Sequence, residues 1–375
     1  MGAKIPMLDL GPEVEELWDE LRTALDATLR STRFILGPNV VEFEREAAEW
    51  LGVRRAVSLN SGTDALVLGL RALGIGPGDE VVTSAFTFVA TAEAICRVGA
   101  TPVFVDVEPA SFNLDLERLA AHLDGPAGER TRLVIPVHLF GHPVDMDAVL
   151  SLCEPRGIPV FEDAAQAFGA TWRGRRVGGF GRAGAFSFFP SKNLGAYGDG
   201  GLVVSDDDSF ADTVLELRNH GALDKYEAHS VGYNSRLDEI QAAVLRVKLP
   251  HVDAWNDKRR EVARLYREGL AGLDGVETPD EAEGAHHVFH QYTLRVRDGR
   301  RDELERRLGD AGIACAVYYR VPLHRLAPFA QPPGTELRET DRASEQVLSL
   351  PIGAYQPEPV TARIVAALRG DQTGG

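Results

Sequence analysis

Between residues 55 and 206, short apolar runs alternate with amphipathic stretches, and no other feature constrains the fold as strongly. Seven runs have strand character: AVSL (56–59), EVVTS (80–84), TPVFVDV (101–107), RLVIPVHLF (132–140), IPVFED (158–163), GAFSFF (184–189) and GLVVSD (201–206). Helical patterns such as DALVLGLRALG (64–74) and ATAEAICRVG (90–99) lie between them. Such alternation predicts an α/β fold, a mostly parallel seven-stranded sheet with helices on both faces. A chain of 375 residues also exceeds what one core fills, so a second, smaller domain is expected. Residues 12–31 carry leucines at helical spacing, and 238–272 read as a long helix bent at Pro250. Beyond it come a strand over 286–296, a helix over 301–312, a short strand at 316–319 and a helix over 359–369. The proline-rich stretch 328–336 reads as a loop. The expected division is a large α/β domain over 1–250 and a small α+β domain over 251–375.

Charge and composition exclude several functions. With 56 acidic against 40 basic residues and no basic block, the chain does not fit a nucleic-acid or anionic membrane surface. A few local arginines could still hold an anionic small molecule. No signal-peptide core and no apolar stretch of about 18 residues are present, so a cytoplasmic protein is expected. Three scattered cysteines without a C-x-x-C pair read as reduced thiols packed in the core. His286, His287 and His290 alternate between strand faces without a carboxylate partner, so they read as structural or substrate-facing and no metal site is expected. His138 ends a strand and borders the expected pocket without a catalytic role.

In open α/β sheets ligands bind beyond the carboxyl ends of the strands, and three such ends carry unusual chemistry. After the first strand, Ser61-Gly62-Thr63 opens a helix, which suits either a phosphate or an ordinary N-cap. Asp163 closes an apolar strand with Gln166 shortly after it; it is either a helix cap or the partner of a buried cation. The third end is SFFPSKNLGAYGDGG (187–201), which holds Lys192, one of five lysines against 35 arginines. Aromatic surroundings strip water from an amine and lower its pKa, as a Schiff-base lysine requires, and the glycines let the backbone close around a ligand. Phe88, at a fourth strand-to-helix junction, is either core or a ring for stacking. A phosphate cradle, a carboxylate for a ring cation and an amine for an aldehyde are together what pyridoxal phosphate needs.

The segments NSGTDAL, FTFVAT, EDAAQAFGA, SFFPSKNLGAYGDGG and GYNSRLDEIQAAVL occur in this order. They resemble the signatures of the DegT/StrS-type nucleotide-sugar aminotransferases, pyridoxal-phosphate enzymes of fold type I, the aspartate aminotransferase fold. The resemblance implies that Lys192 forms the Schiff base and moves the proton, while Asp163 pairs with the pyridinium nitrogen. It further implies Gln166 on the ring hydroxyl, Phe88 stacked on the ring, and Gly62, Thr63 and Ser187 on the phosphate. Asn234 would reach the phosphate of a second subunit, making a homodimer with shared sites, and Arg236, Tyr318, Tyr319 and His324 would lie near substrate. L-glutamate would donate the amine, leaving pyridoxamine phosphate, and a nucleotide-linked (UDP or dTDP) keto sugar would accept it.

Two styles of lysine loop resemble two substrate classes: F-x-x-x-K with G-E-G-G those acting on 4-keto sugars, and P-[GS]-K-N-L-G-x-x-G-D those acting on 3-keto sugars. Residues 190–199, PSKNLGAYGD, match the second, so amination at C3 is expected, with the 4-keto reaction as the alternative. Lys192 disfavours the related sugar dehydratases, which lack the lysine, and together with Asp163 it disfavours a non-catalytic sensor. A lyase or desulfurase would need a mobile catalytic cysteine.

Overall fold

The computed structural model describes residues 3–222, 227–330 and 335–370, so 331–334 of the expected loop lie outside the described residues. The seven expected strands form as β1 (Arg55–Leu59), β2 (Glu80–Ser84), β3 (Thr101–Val105), β4 (Thr131–Ile135), β5 (Phe161–Asp163), β6 (Ala183–Ser187) and β7 (Gly201–Ser205). Two hydrogen-bonded groups, β3-β2-β4 and β5-β6-β7-β1, meet through parallel bridges Val134–Val160 and Val137–Asp163. Six strands run the same way; β7 is antiparallel to both of its neighbours. Alternate side chains feed two cores. Val57, Leu59, Ala185 and Val203 pack under the helix Gly62–Ala72, whereas Ala56, Phe186, Leu202 and Val204 face the helices Pro38–Leu51 and Glu239–Lys248.

The predicted long helix is bent as expected. Glu239–Lys248 runs through a 3₁₀ turn at Leu249–His251 into Val252–Leu270. A further core lies beyond it, where β8 (Val276–Glu277), β9 (Tyr292–Val296) and β10 (Val347–Leu350) form an antiparallel sheet. Ile5 also joins that core and pairs with Ile313, so the first residues pack with the C-terminal part rather than with the large sheet.

Two expectations fail there. The strand over 286–296 is broken: Ala285–His286 pairs with Thr171–Trp172, and the chain turns at Phe289 (φ 43°) before β9 begins. Residues 316–319 give a single bridge, Ala316 to Ser349, and the third strand is β10, preceded by the helix Arg338–Gln346. That helix buries only Thr340, Ala343 and Ser344, with no large apolar side chain, so no apolar run marks it in the sequence. Its start is capped from the large sheet: Asp106 accepts hydrogen bonds from the Glu339 and Thr340 amides at 3.0 and 2.8 Å.

Candidate active site

The carboxyl edge of the sheet brings the three strand ends together around a cavity of about 550 Å³. The lysine loop leaves the end of β6 and returns as antiparallel β7, so both of its ends lie at that edge. Gly62 begins the helix after β1 and approaches β6 so closely that a Cβ there would lie 2.6 Å from Ser187 Cβ. A Cβ on Gly201 would lie 2.2 Å from the Ser61 carbonyl oxygen. Ser61 is an ordinary N-cap, its Oγ accepting the Asp64 amide at 3.1 Å, while Gly62, Thr63 and Ser187 line the cavity. Amides at a helix start and two hydroxyls on one wall make an anion cradle. Gly62→Ala is therefore expected to weaken phosphate-anchored ligand binding about tenfold, by overpacking against Ser187, as measured by titrating apoprotein with pyridoxal phosphate.

Asp163 is buried and faces neutral donors. Its Oδ2 accepts the Thr91 hydroxyl at 2.8 Å, and its Oδ1 the Ala165 amide at 3.2 Å. Burial raises its pKa above the ordinary carboxylate value, and Thr91, Ala165 and the Lys192 charge only partly oppose this. No helix follows it; residues 164–169 are turns, so the capping alternative does not hold. Across the cavity, the Lys192 Nζ makes no hydrogen bond or ion pair among the described residues. Part of the residue faces the cavity, yet protein crowds the amine: burial lowers its pKa to about 8, against the pull of Asp163.

Phe88 is 54% exposed and lines the cavity, so it is not core; its ring lies 6.2 Å from that of Tyr319. Gln166 is doubly engaged. Its Oε1 accepts the Phe140 amide at 2.7 Å and its Nε2 donates to the Tyr319 hydroxyl at 3.1 Å. Tyr318 and Tyr319 line the cavity as expected.

Three expected residues do not reach this chain's own cavity. Asn234 is exposed and bridges to Asn219, and Arg236 donates to the Asn219 side chain at 3.0 Å. His324 is buried in the turn Leu323–Arg325, its Nε2 3.2 Å from Asp341; the Leu323 amide, bonded to Ala85, pins that turn away from the cavity. His138 does not border the cavity either. Its Nε2 lies 3.1 Å from buried Glu162, which also accepts the Gly178, Phe180 and Gly181 amides. None of the cysteines lines the cavity, and Cys96 is exposed rather than packed in the core.

Sequence reasoning missed Thr91 and Gln291, and left His290 between a structural and a substrate-facing role, of which the cavity wall favours the second. Thr91 lies three residues beyond Phe88 in the same motif, a spacing that places it one turn along the helix Val89–Arg97. Gln291 was hidden by the expectation of a continuous strand; the break lets the Gln291 amide bond Phe140 and carries the His290 and Gln291 side chains to the cavity wall. Burial holds His290 neutral, with its pKa well below the usual value.

Residues 16–369 match the model of the DegT/DnrJ/EryC1/StrS aminotransferase family. The chain belongs to this family. It is 47% identical to a pleiotropic regulatory protein of Geobacillus stearothermophilus, over 93% of each chain. It is 46% identical to the UDP-N-acetyl-3-dehydro-alpha-D-glucosamine 3-aminotransferase of Acidithiobacillus ferrooxidans, over 97% of each. Among solved structures, DesV of S. venezuelae, described in complex with a ketimine intermediate, superposes with a TM-score of 0.94 at 44% identity over 98% of each chain. This DegT-family chain has the residues that pyridoxal phosphate requires. Gly62, Thr63 and Ser187 share one cavity wall, with Gly62 packed so closely on Ser187 that a Cβ would not fit, and Asp163 is a buried carboxylate without an ion-pair partner among the described residues.

Proposed function

We propose that this protein transfers an amino group from L-glutamate to C3 of a UDP- or dTDP-linked keto-hexose, using pyridoxal phosphate. The observation that carries the reading is the pairing of a deprotonatable Lys192 with a buried Asp163 across a cavity that has an anion cradle on its wall. The 3-dehydro sugar substrate named for the Acidithiobacillus relative and the Pro190–Asp199 loop support amination at C3.

Gly62, Thr63 and Ser187 would hold the phosphate, Phe88 would cover the ring, and Asp163 would keep the ring nitrogen protonated, held in place by Thr91 and the Ala165 amide. Bound there, the cofactor supplies an electron sink for the substrate carbon that loses its proton. Lys192 Nζ would be the amine that holds the cofactor's aldehyde carbon and, once substrate displaces it, would move the proton between the substrate carbon and the cofactor. Gln166, tied to Phe140 and Tyr319, would set the cavity wall beside the ring.

Lys192 is the one Lys or Arg on this cavity wall among the described residues, yet glutamate brings two carboxylates and a nucleotide-linked sugar brings a diphosphate. The reading therefore includes a homodimer in the cytoplasm, in which Asn234 and Arg236 serve the partner's cavity. The division into a large cofactor domain (1–250) and a smaller C-terminal domain (251–375) belongs to the same reading.

Two results test it. Capture of pyridoxal phosphate by apoprotein needs a neutral amine, so its rate should rise as pH passes through about 8 and level off above, in stopped-flow absorbance. A rate flat from pH 6.5 to 9.5 contradicts the Lys192 assignment. Offered UDP- or dTDP-linked 3-keto and 4-keto hexoses, the enzyme should aminate a 3-keto compound; amination of the 4-keto compounds alone contradicts the regiochemistry.

A further inference from the structure

The loop that carries Lys192 is held from behind by charge. Three residues after Lys192, the Gly195 carbonyl accepts a hydrogen bond from Lys248 Nζ, on the bent helix. That ammonium is only 1% exposed and pairs at 2.6 Å with Glu13 Oε1, from the short N-terminal helix Gly11–Glu16. It also lies 4.7 Å from the centre of the Tyr197 ring, and the Tyr197 hydroxyl donates to the same Glu13 oxygen at 3.2 Å. The Tyr197 amide bonds Gln241 at 2.9 Å, so the loop is gripped at 195 and again at 197. Buried Arg259 is the other charge in the neighbourhood, donating to the Phe289 and Ile352 carbonyls at 3.3 Å; Tyr355 and Glu16 flank Glu13 on its outer side.

A buried ammonium without a counter-ion is costly, and burial already lowers the Lys248 pKa while Glu13 opposes it. Nothing in the cofactor chemistry calls for this ion pair, and an apolar pair would fill the space at least as stably. The ion pair instead points a strong donor at one backbone carbonyl of the catalytic loop.

We propose that Glu13, Lys248 and Tyr197 form a clamp that positions Lys192, so that the N-terminal helix sets the geometry of the catalytic amine. The clamp acts through Gly195 and touches neither substrate nor cofactor. It rests on the reading of Lys192 as the cofactor-bearing lysine.

The decisive variant is the double replacement Glu13→Gln with Lys248→Met, which removes both buried charges together. Its melting temperature should match or exceed that of the native enzyme. Capture of pyridoxal phosphate by the apoprotein should nevertheless slow about tenfold or more, and kcat should fall by a similar factor with KM nearly unchanged, as for a reacting group displaced by a fraction of an ångström. A well-folded double variant with native capture rate and kcat overturns the proposal. Tyr197→Phe leaves no charge unpaired and provides a second test; a several-fold slower capture is expected, and an unchanged rate counts against the clamp. If Lys192 did not bear the cofactor, the native protein itself would show no capture, a failure distinct from native and clamp variants behaving alike.

Discussion

Replacing Lys192 with alanine is expected to abolish the borohydride-reducible adduct with pyridoxal phosphate and to lower turnover by more than about a thousandfold. The size follows from two losses at one atom. The Nζ, held near pKa 8 by burial, is the cavity's nucleophile toward an aldehyde and also its proton carrier. Among the described residues no other lysine lines the cavity: Lys248 is buried behind the loop against Glu13, and Lys258 lies over the Tyr355 ring. The fold should be indifferent to the change, because Nζ bonds to nothing among the described residues. A melting temperature within a few degrees of the native value therefore separates lost chemistry from lost structure. The check is mass spectrometry of the borohydride-reduced protein beside single-turnover kinetics.

The second large effect is at Asp163. Asp163→Asn keeps the size of the side chain and can satisfy both neighbours, its amide oxygen accepting from the Ala165 amide and its NH2 donating to the Thr91 hydroxyl, but it removes the negative charge. Losing one partner of a buried ion pair costs about 3–5 kcal/mol, equivalent to a loss of roughly two to four orders of magnitude in turnover. Apoprotein should respond in the opposite sense. Asp163 has its pKa raised by burial, so the folded apoprotein binds its proton more tightly than the unfolded chain does. Its contribution to stability is thus full below the ordinary aspartate pKa and is lost as pH rises through the raised value. At neutral pH the native apoprotein carries that cost and the asparagine variant does not. Apo Asp163→Asn should therefore melt at or above the native apoprotein at pH 7.5, while the cofactor-loaded variant loses the extra stability that cofactor gives the native enzyme. Thermal melts with and without pyridoxal phosphate check both signs; an apo variant much less stable than native would mark Asp163 as a structural residue.

The large sheet was legible because parallel strands buried on both faces are written as short apolar runs, and all seven form where those runs lie. The three strand ends at the cavity were legible for the same reason, since the sheet's carboxyl edge gathers whatever follows each strand. What escaped depends on partners distant in sequence. The helix Arg338–Gln346 is capped by Asp106, more than 200 residues earlier, and shows almost no apolar stripe. His290 reaches the cavity because the chain breaks at Phe289 and docks on Phe140, a pairing no local pattern encodes. The resemblance implied Gln166 on the cofactor ring, and it does line the cavity; its bonds to Phe140 and Tyr319 are ones that only the folded chain brings about. His324 looked like a cavity residue from its neighbours in AVYYRVPLH, yet the bond from Leu323 to Ala85 turns it toward Asp341.

The most direct test of the whole account is a pair of half-reactions on one sample. Enzyme loaded with pyridoxal phosphate is given L-glutamate, its visible absorbance is followed, and a UDP- or dTDP-linked 3-keto hexose is then added. The account predicts that glutamate bleaches the visible band of the imine-bound cofactor and releases 2-oxoglutarate, and that the 3-keto sugar restores the band as an amino sugar forms. A band that glutamate leaves unchanged, or one that is bleached and then restored by no keto sugar, would contradict it.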